Sequence, residues 1–196
     1  MATGPMLQTS GLSVDRGSRA VLKGVDFELS SGEIVALVGD NGSGKTTLLE
    51  ACAGILPLSG GSISRHSKSG KMQVVRDCEG RRNQPPPTGL TLQRDGICGE
   101  ETVEERLEVA LKVAGMEMSE PTASDVLKEW GLEHRRADRV AQLSGGQIRR
   151  LAVLCGLAPA ALSAESRVVM LDEPSEGLDR AGKELLIGWL RGLKLN

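Results

Sequence analysis

Gly39-Asp40-Asn41-Gly42-Ser43-Gly44-Lys45-Thr46 reads G-x-x-x-x-G-K-T, the spacing of a phosphate-binding loop. The apolar run Ile34 to Val38 before it predicts a buried parallel strand. Thr47-Leu48-Leu49-Glu50-Ala51-Cys52-Ala53 after it predicts a helix. Glycines open backbone conformations closed to other residues, so several N–H groups can turn toward one anion. The helix adds its unpaired N-terminal N–H groups and the positive end of its dipole. Lys45 is placed to reach the β and γ phosphates of a nucleotide, and the Thr46 hydroxyl to sit on Mg²⁺. The candidate phosphate-binding set is Gly39, Asn41, Gly42, Ser43, Gly44, Lys45, Thr46 and Thr47. A glycine-rich turn that binds nothing would share this spacing, and the rest of the chain argues against it.

The 196 residues suit one domain, or one domain with a small inserted lobe. Hydrophobic residues make up 39% and charged residues 26%, enough for a sizeable core. The net charge of −2 shows no broad basic excess, so no nucleic-acid partner is expected. The chain has no Tyr, one Phe (Phe27) and two Trp (Trp130 and Trp189), so the core must be aliphatic. Cys52, Cys78, Cys98 and Cys155 form no C-x-x-C pair and no Cys/His cluster. Reduced thiols in a cytosolic protein fit that pattern better than disulfides or zinc. No stretch approaches roughly 18 uninterrupted apolar residues, so no membrane span is expected. The N-terminus has no signal-peptide pattern.

Leu7–Val14 and Val21–Leu29 read as two strands around a turn at Asp15–Ser18. In the second, Val25, Phe27 and Leu29 alternate with Asp26 and Glu28, as in a half-solvated antiparallel strand. Beyond the loop helix, Gly54, Pro57, Gly60 and Gly61 start an irregular stretch. Met72–Val75 is a short strand. Arg76–Thr88, with Arg81-Arg82 and Pro85-Pro86-Pro87, reads as an exposed loop with solvated arginines.

Gly89–Leu92 is a strand ending at Gln93. Thr102-Val103-Glu104-Glu105 has capping-box spacing and opens a helix whose face is Val103, Leu107, Leu111 and Ala114, stopped by Gly115. A further helix spans Ser124 to Trp130. Leu143-Ser144-Gly145-Gly146-Gln147 precedes a helix at Ile148–Leu157, with the Ser144 hydroxyl and the following N–H groups turned outward as an anion site. Val168–Leu171 is a buried strand ending in Asp172-Glu173, where ligands bind in open α/β sheets. Asp172 is placed to hold Mg²⁺ through its water shell. Glu173 is placed to orient or deprotonate a water attacking the γ phosphate.

Gly39–Thr46, Leu143–Gln147 and Val168–Glu173 resemble the Walker A, signature and Walker B motifs of an ATP-binding cassette (ABC) ATPase. The signature pentapeptide is the family's usual form, and the order of the three fits. Gln93 resembles the Q-loop glutamine, and Ser175-Glu176-Gly177-Leu178-Asp179 resembles the D-loop. The resemblance covers nearly the whole chain. It implies an α/β P-loop fold with an N-terminal antiparallel β subdomain and an inserted helical lobe. Residues 1–93 would be the β subdomain and P-loop core, 94–142 the helical lobe, and 143–196 the signature helix and Walker B core. It implies two cassettes, identical or similar, head to tail around two ATP molecules, with Ser144, Gly145, Gly146 and Gln147 reaching the nucleotide of the opposite subunit and Asp179 in the D-loop. Glu173 and Gln93 would be catalytic, and Thr46, Gln93 and Asp172 would hold Mg²⁺.

Many relatives stack an aromatic on the adenine, and the aligned position here is Arg16, which can stack by its guanidinium plane. The gap between Ser144 and Asp172 is longer than usual, which predicts a surface insertion within Ala158–Ser166. The family's strand after Walker B and its switch histidine have no counterpart, so the core is expected to lack its C-terminal strands, as in a truncated cassette. His66 and His134 are expected on the surface. The resemblance favours a transport-coupled ATPase, cytoplasmic and bound to the membrane through a permease partner. A soluble ABC ATPase of translation or DNA repair and a non-hydrolysing nucleotide-binding module are the alternatives. DNA-repair relatives split their motifs with a long coiled coil, and translation relatives carry two cassettes. Neither feature is present here.

Overall fold

The computed structural model describes residues 5–66, 71–83, 88–93, 99–117, 120–163 and 167–195. Two compact units divide the chain, Met1–Pro86 and Pro87–Asn196.

In the first unit, β1 (Pro5–Arg16), β2 (Arg19–Ser30), β3 (Gly60–His66) and β4 (Met72–Asp77) form an antiparallel sheet in the order β2-β1-β3-β4. The two-residue turn Gly17–Ser18 joins β1 to β2, tighter than the four-residue turn expected. The predicted alternation of β2 is present: Val25, Phe27 and Leu29 are half-buried, while Asp26 and Glu28 face solvent. Leu7, Leu12, Val14, Leu22, Ile63 and Val75 make an aliphatic core with Ala51 and Cys52 of α1 (Lys45–Cys52).

Three expectations fail in this unit. Gly60–His66 is a strand paired with β1, not irregular chain. Its buried face carries Ile63 and Arg65, so a charged residue stands where the apolar alternation would continue. Arg76 and Asp77 belong to β4. Arg76 donates to the Leu56 carbonyl at 2.7 Å, whereas Arg81, 3.4 Å from the Asp77 carboxylate, and Arg82 are exposed as expected. Pro85–Pro87 lie outside the described residues. The third is Ile34–Val38, which forms no strand; Val38 is 92% exposed and Ile34 52%. A buried parallel strand needs ladder partners and two covered faces. No strand among the described residues pairs with this run. His66 is half-buried within β3, and His134 is exposed as expected.

The second unit is built on α4 (Gly145–Ala161), an almost wholly buried helix. One face meets a parallel pair, β5 (Thr88–Thr91) and β6 (Val168–Leu171), with Thr88 opposite Val168 and Thr91 opposite Leu171. The approach is close enough that a Cβ on Gly156 would fall on Thr91 Oγ1, and one on Gly89 would fall on the Gly156 carbonyl. The expected apolar face of α2 (Val103–Val113) packs against α4. Val126 and Leu127 of α3 (Glu120–Glu129), which begins earlier than expected, join the same core. The Thr102–Glu105 capping box forms as predicted. α5 (Arg180–Leu195) places Leu186 in the same core. The Trp130 and Trp189 rings meet edge to face, 5.5 Å between centroids and 82° between planes. Ala158 and Pro159 are buried in the last turn of α4, so no insertion begins there; the apolar run keeps the helix going to Ala161. Residues 164–166 of that expected insertion lie outside the described residues.

Candidate functional site

In the first unit, the loop 39–44 leads into α1. Gly44 is the N-cap at φ 101°, with the β2 side chains Val21 and Leu22 close to where a Cβ would stand. Only glycine satisfies both conditions without strain. Ser43 N–H donates to the Asp40 carbonyl at 3.2 Å and closes the turn. Lys45 curls back, its Nζ donating to the carbonyls of Gly39 (2.7 Å) and Asp40 (3.0 Å). The ammonium is thereby held against the first two residues of the loop. Gly39, Asn41, Gly42 and Ser43 are exposed, Thr46 is half-buried, and Thr47 is buried against the core. Arg16, at the end of β1, pairs with Glu50 of α1. Arg16 is therefore tethered to the helix that begins at the 39–44 loop.

In the second unit, the carboxyl ends of β5 and β6 lie side by side, and the ladder continues as Asp172 N–H donates to the Thr91 carbonyl at 2.9 Å. Asp172 is buried, 4% exposed, and Glu173 and Gln93 are exposed. Gln93 Nε2 donates to Glu173 Oε2 at 3.3 Å, across 80 residues of sequence. Glu173 has φ 45°, the only positive φ at a non-glycine residue among those described. Such conformations persist where surrounding contacts impose them, and they cluster at functional sites.

The signature segment opens α4. Ser144 is its N-cap: Oγ accepts from Gln147 N–H, and Ser144 N–H donates to Gln147 Oε1 at 3.0 Å. The Ser144 hydroxyl thus caps its own helix instead of simply facing outward, because serine followed three positions later by glutamine is itself a capping box. Ser144, Gly145 and Gly146 are exposed.

Two arginines that the motif reading passes over follow at once. Arg149, 4% exposed, donates to the carbonyls of Leu92, Gln93, Asp172, Glu173 and Glu176. Arg150 grips both carboxylate oxygens of Asp179 at 2.7 Å, and Asp179 Oδ1 accepts from Gly182 N–H to cap α5. The Arg150 guanidinium and then the Gly182 N–H hold the Asp179 carboxyl below its ordinary range. One signal was available in the sequence: Arg149 and Arg150 stand just before the apolar run from Leu151, and a charge drawn into such a core must be paired.

The donors near Asp172 are hard oxygens. Among the described residues no three His, Cys, Asp or Glu converge as a metal cage. The carboxylates of Asp172 and Glu173 are hard oxygen donors of the class that Mg²⁺ takes, one or two at a time with phosphate and water oxygens. No described helix is long and apolar enough to cross a membrane.

Residues 22–176 match the family model described as ABC transporter. The taurine import ATP-binding protein TauB of Escherichia coli O157:H7 is 34% identical over 178 residues, covering 89% of this chain and 63% of that protein. The protein of the same name from Escherichia coli K12 is 33% identical with the same coverage. The chain thus spans about 63% of the length of the curated relatives it matches. Among solved structures, an ATP-binding subunit of an ABC transporter superposes with a TM-score of 0.77 at 26% identity, covering 97% of this chain and 75% of that one. An ABC transporter ATP-binding protein from Pyrococcus furiosus shares the fold, with a TM-score of 0.74 at 22% identity over 96% of this chain and 86% of its own.

Proposed function

The chain belongs to the ABC transporter family, and from that premise we propose that it is the ATP-binding and ATP-hydrolysing subunit of a membrane transporter. The observation that carries the reading is the 3.3 Å bond between Gln93 and Glu173 beside buried Asp172. It supports a site where a carboxylate handles a water beside phosphate.

The roles follow from the chemistry. Backbone N–H groups of Gly39, Asn41, Gly42, Ser43 and Gly44, with Lys45, Thr46 and Thr47, cradle the phosphates. Lys45 exchanges its carbonyl partners for phosphate oxygens, a charge-assisted and therefore stronger pairing. Arg16 lies on the adenine side. Glu173 accepts a proton from the attacking water as its oxygen bonds the γ phosphorus and the bond to the β-phosphate oxygen breaks, leaving ADP and phosphate. Gln93 orients Glu173. Bound Mg²⁺, held by Thr46, Gln93 and Asp172, would offset charge on the phosphate oxygens.

A second cassette, the same chain or a similar one, would sandwich ATP head to tail and present Ser144, Gly145, Gly146 and Gln147 to the phosphates, with Asp179 in the adjoining D-loop. A transmembrane permease would be the other partner and would hold the subunit at the cytoplasmic face of the membrane. The division into a β subdomain and P-loop core (1–93), a helical lobe (94–142) and a signature and Walker B core (143–196) belongs to the same proposal. Relatives named for import favour uptake as the direction.

Glu173→Gln tests the reading. The amide keeps the shape and loses the base. ATP binding measured by calorimetry should persist, turnover should fall roughly 100-fold or more, and light scattering should show ATP-dependent dimers. Wild-type turnover in the variant would sink the assignment.

A further inference from the structure

Arg149 is nearly absent from the surface. Its guanidinium is spent on backbone carbonyls: Nε on Glu176 (3.0 Å), Nη1 on Leu92 (3.0 Å) and Gln93 (3.4 Å), Nη2 on Asp172 (3.2 Å) and Glu173 (2.7 Å). Those carbonyls belong to the end of β5, the turn after β6, and the segment leading to Asp179. A buried charge is tolerated when its donors are met, and a rigid five-donor fork meets several acceptors in one plane as an ammonium cannot.

We propose that Arg149 is a positioning residue: it locks the backbone beneath Gln93, Asp172 and Glu173 to the first turn of α4, so that the signature segment and the water-handling carboxylate move as one piece. Two observations carry this. Glu173 has φ 45°, and Arg149 takes both the carbonyl of this residue and that of Asp172 before it, holding the turn in a conformation it would otherwise leave. The Gln93–Glu173 bond spans two chain segments, and Arg149 binds the backbone of both. Since Arg149 follows Ser144–Gln147 within about one helical turn, a shift of that segment on meeting a nucleotide transmits to Glu173 through one side chain. The catalytic consequence rests on the ATPase reading above; the clamp itself does not.

The test compares the full chain with Arg149→Lys and Arg149→Gln by hydrogen exchange, thermal melting and steady-state ATP turnover. Loss of the clamp should raise amide exchange roughly tenfold in peptides covering 91–93 and 172–177, while the α2–α3 peptides and the melting temperature stay near wild type. The kcat should fall roughly tenfold or more with KM for ATP within about threefold, since binding is left to the phosphate loop. Lysine, keeping the charge but not the fork, should recover part of the protection that glutamine loses. Unchanged exchange in those peptides overturns the proposal whatever the turnover does. Faster exchange with undiminished kcat overturns the positioning role. If neither variant folds, Arg149 is a fold determinant and the proposal is wrong. If wild type turns over no ATP while the exchange differences appear, the ATPase reading fails and the clamp stands.

Discussion

Lys45 ties the loop before its helix to itself. Its ammonium satisfies the Gly39 and Asp40 carbonyls, contacts made within the loop. Lys45→Ala should therefore leave the melting temperature within a few degrees of wild type while ATP binding by calorimetry drops below detection. Retained tight binding would remove the phosphate loop from the site. The thiols make an independent check on the core. Cys155, fully enclosed, has its thiol pushed up to about 12 by burial, and Cys52 is raised to about 11 by burial, against the lowering influence of Arg65. Cys78 is exposed. Alkylation at about pH 8 should label Cys78 in the native protein and reach Cys52 and Cys155 only after unfolding, as peptide mass mapping would read.

At the scale of elements, the decisive contact is α4 on β5. The two backbones meet where Gly156 faces Thr91 and Gly89 faces Gly156. Here glycine serves for lack of volume, because a methyl group has nowhere to go. Gly156→Ala should destabilise the second unit by about 1–3 kcal/mol, read as a lower urea midpoint. An unchanged midpoint would mean that helix and strand are further apart than described. The helices themselves were legible in the sequence: the Thr102–Glu105 box, the Val103, Leu107, Leu111 face and the stop at Gly115 are local signals, each acting within a turn or two. The strands were less so. β3 escaped notice because its buried face pairs Ile63 with the charged Arg65, and its assignment comes from pairing with β1, some 50 residues earlier in the chain (Thr9 opposite Ile63).

For the whole molecule, acid is the informative variable. Asp179 lies below its ordinary 3.8, first because of Arg150 and then the Gly182 N–H. Glu105 lies below its ordinary 4.5, first because of its bond to the Thr102 N–H. A carboxyl whose folded pKa is depressed adds stability that is complete above its unfolded pKa and is lost as pH falls through the lower folded value. Between about pH 5 and pH 2 the urea midpoint should therefore fall, and Asp179→Asn should show a shallower fall. An equal slope in the variant would mean that the Arg150–Asp179 pair does not form in solution.

The sequence by itself determined the motifs on offer: a glycine-rich loop before a helix, a signature pentapeptide before another, a strand ending in two carboxylates, and a family. These are short-range facts, each written in a few consecutive residues whose propensities act locally. Tertiary structure decided which distant pieces meet. It brought Gln93 to Glu173 and gave Arg149 five carbonyls from three segments. It left Ile34–Val38 without the ladder that its apolar composition suggested. A helix closes its hydrogen bonds within itself, but a strand or a buried guanidinium depends on partners far along the chain, and no local pattern names them.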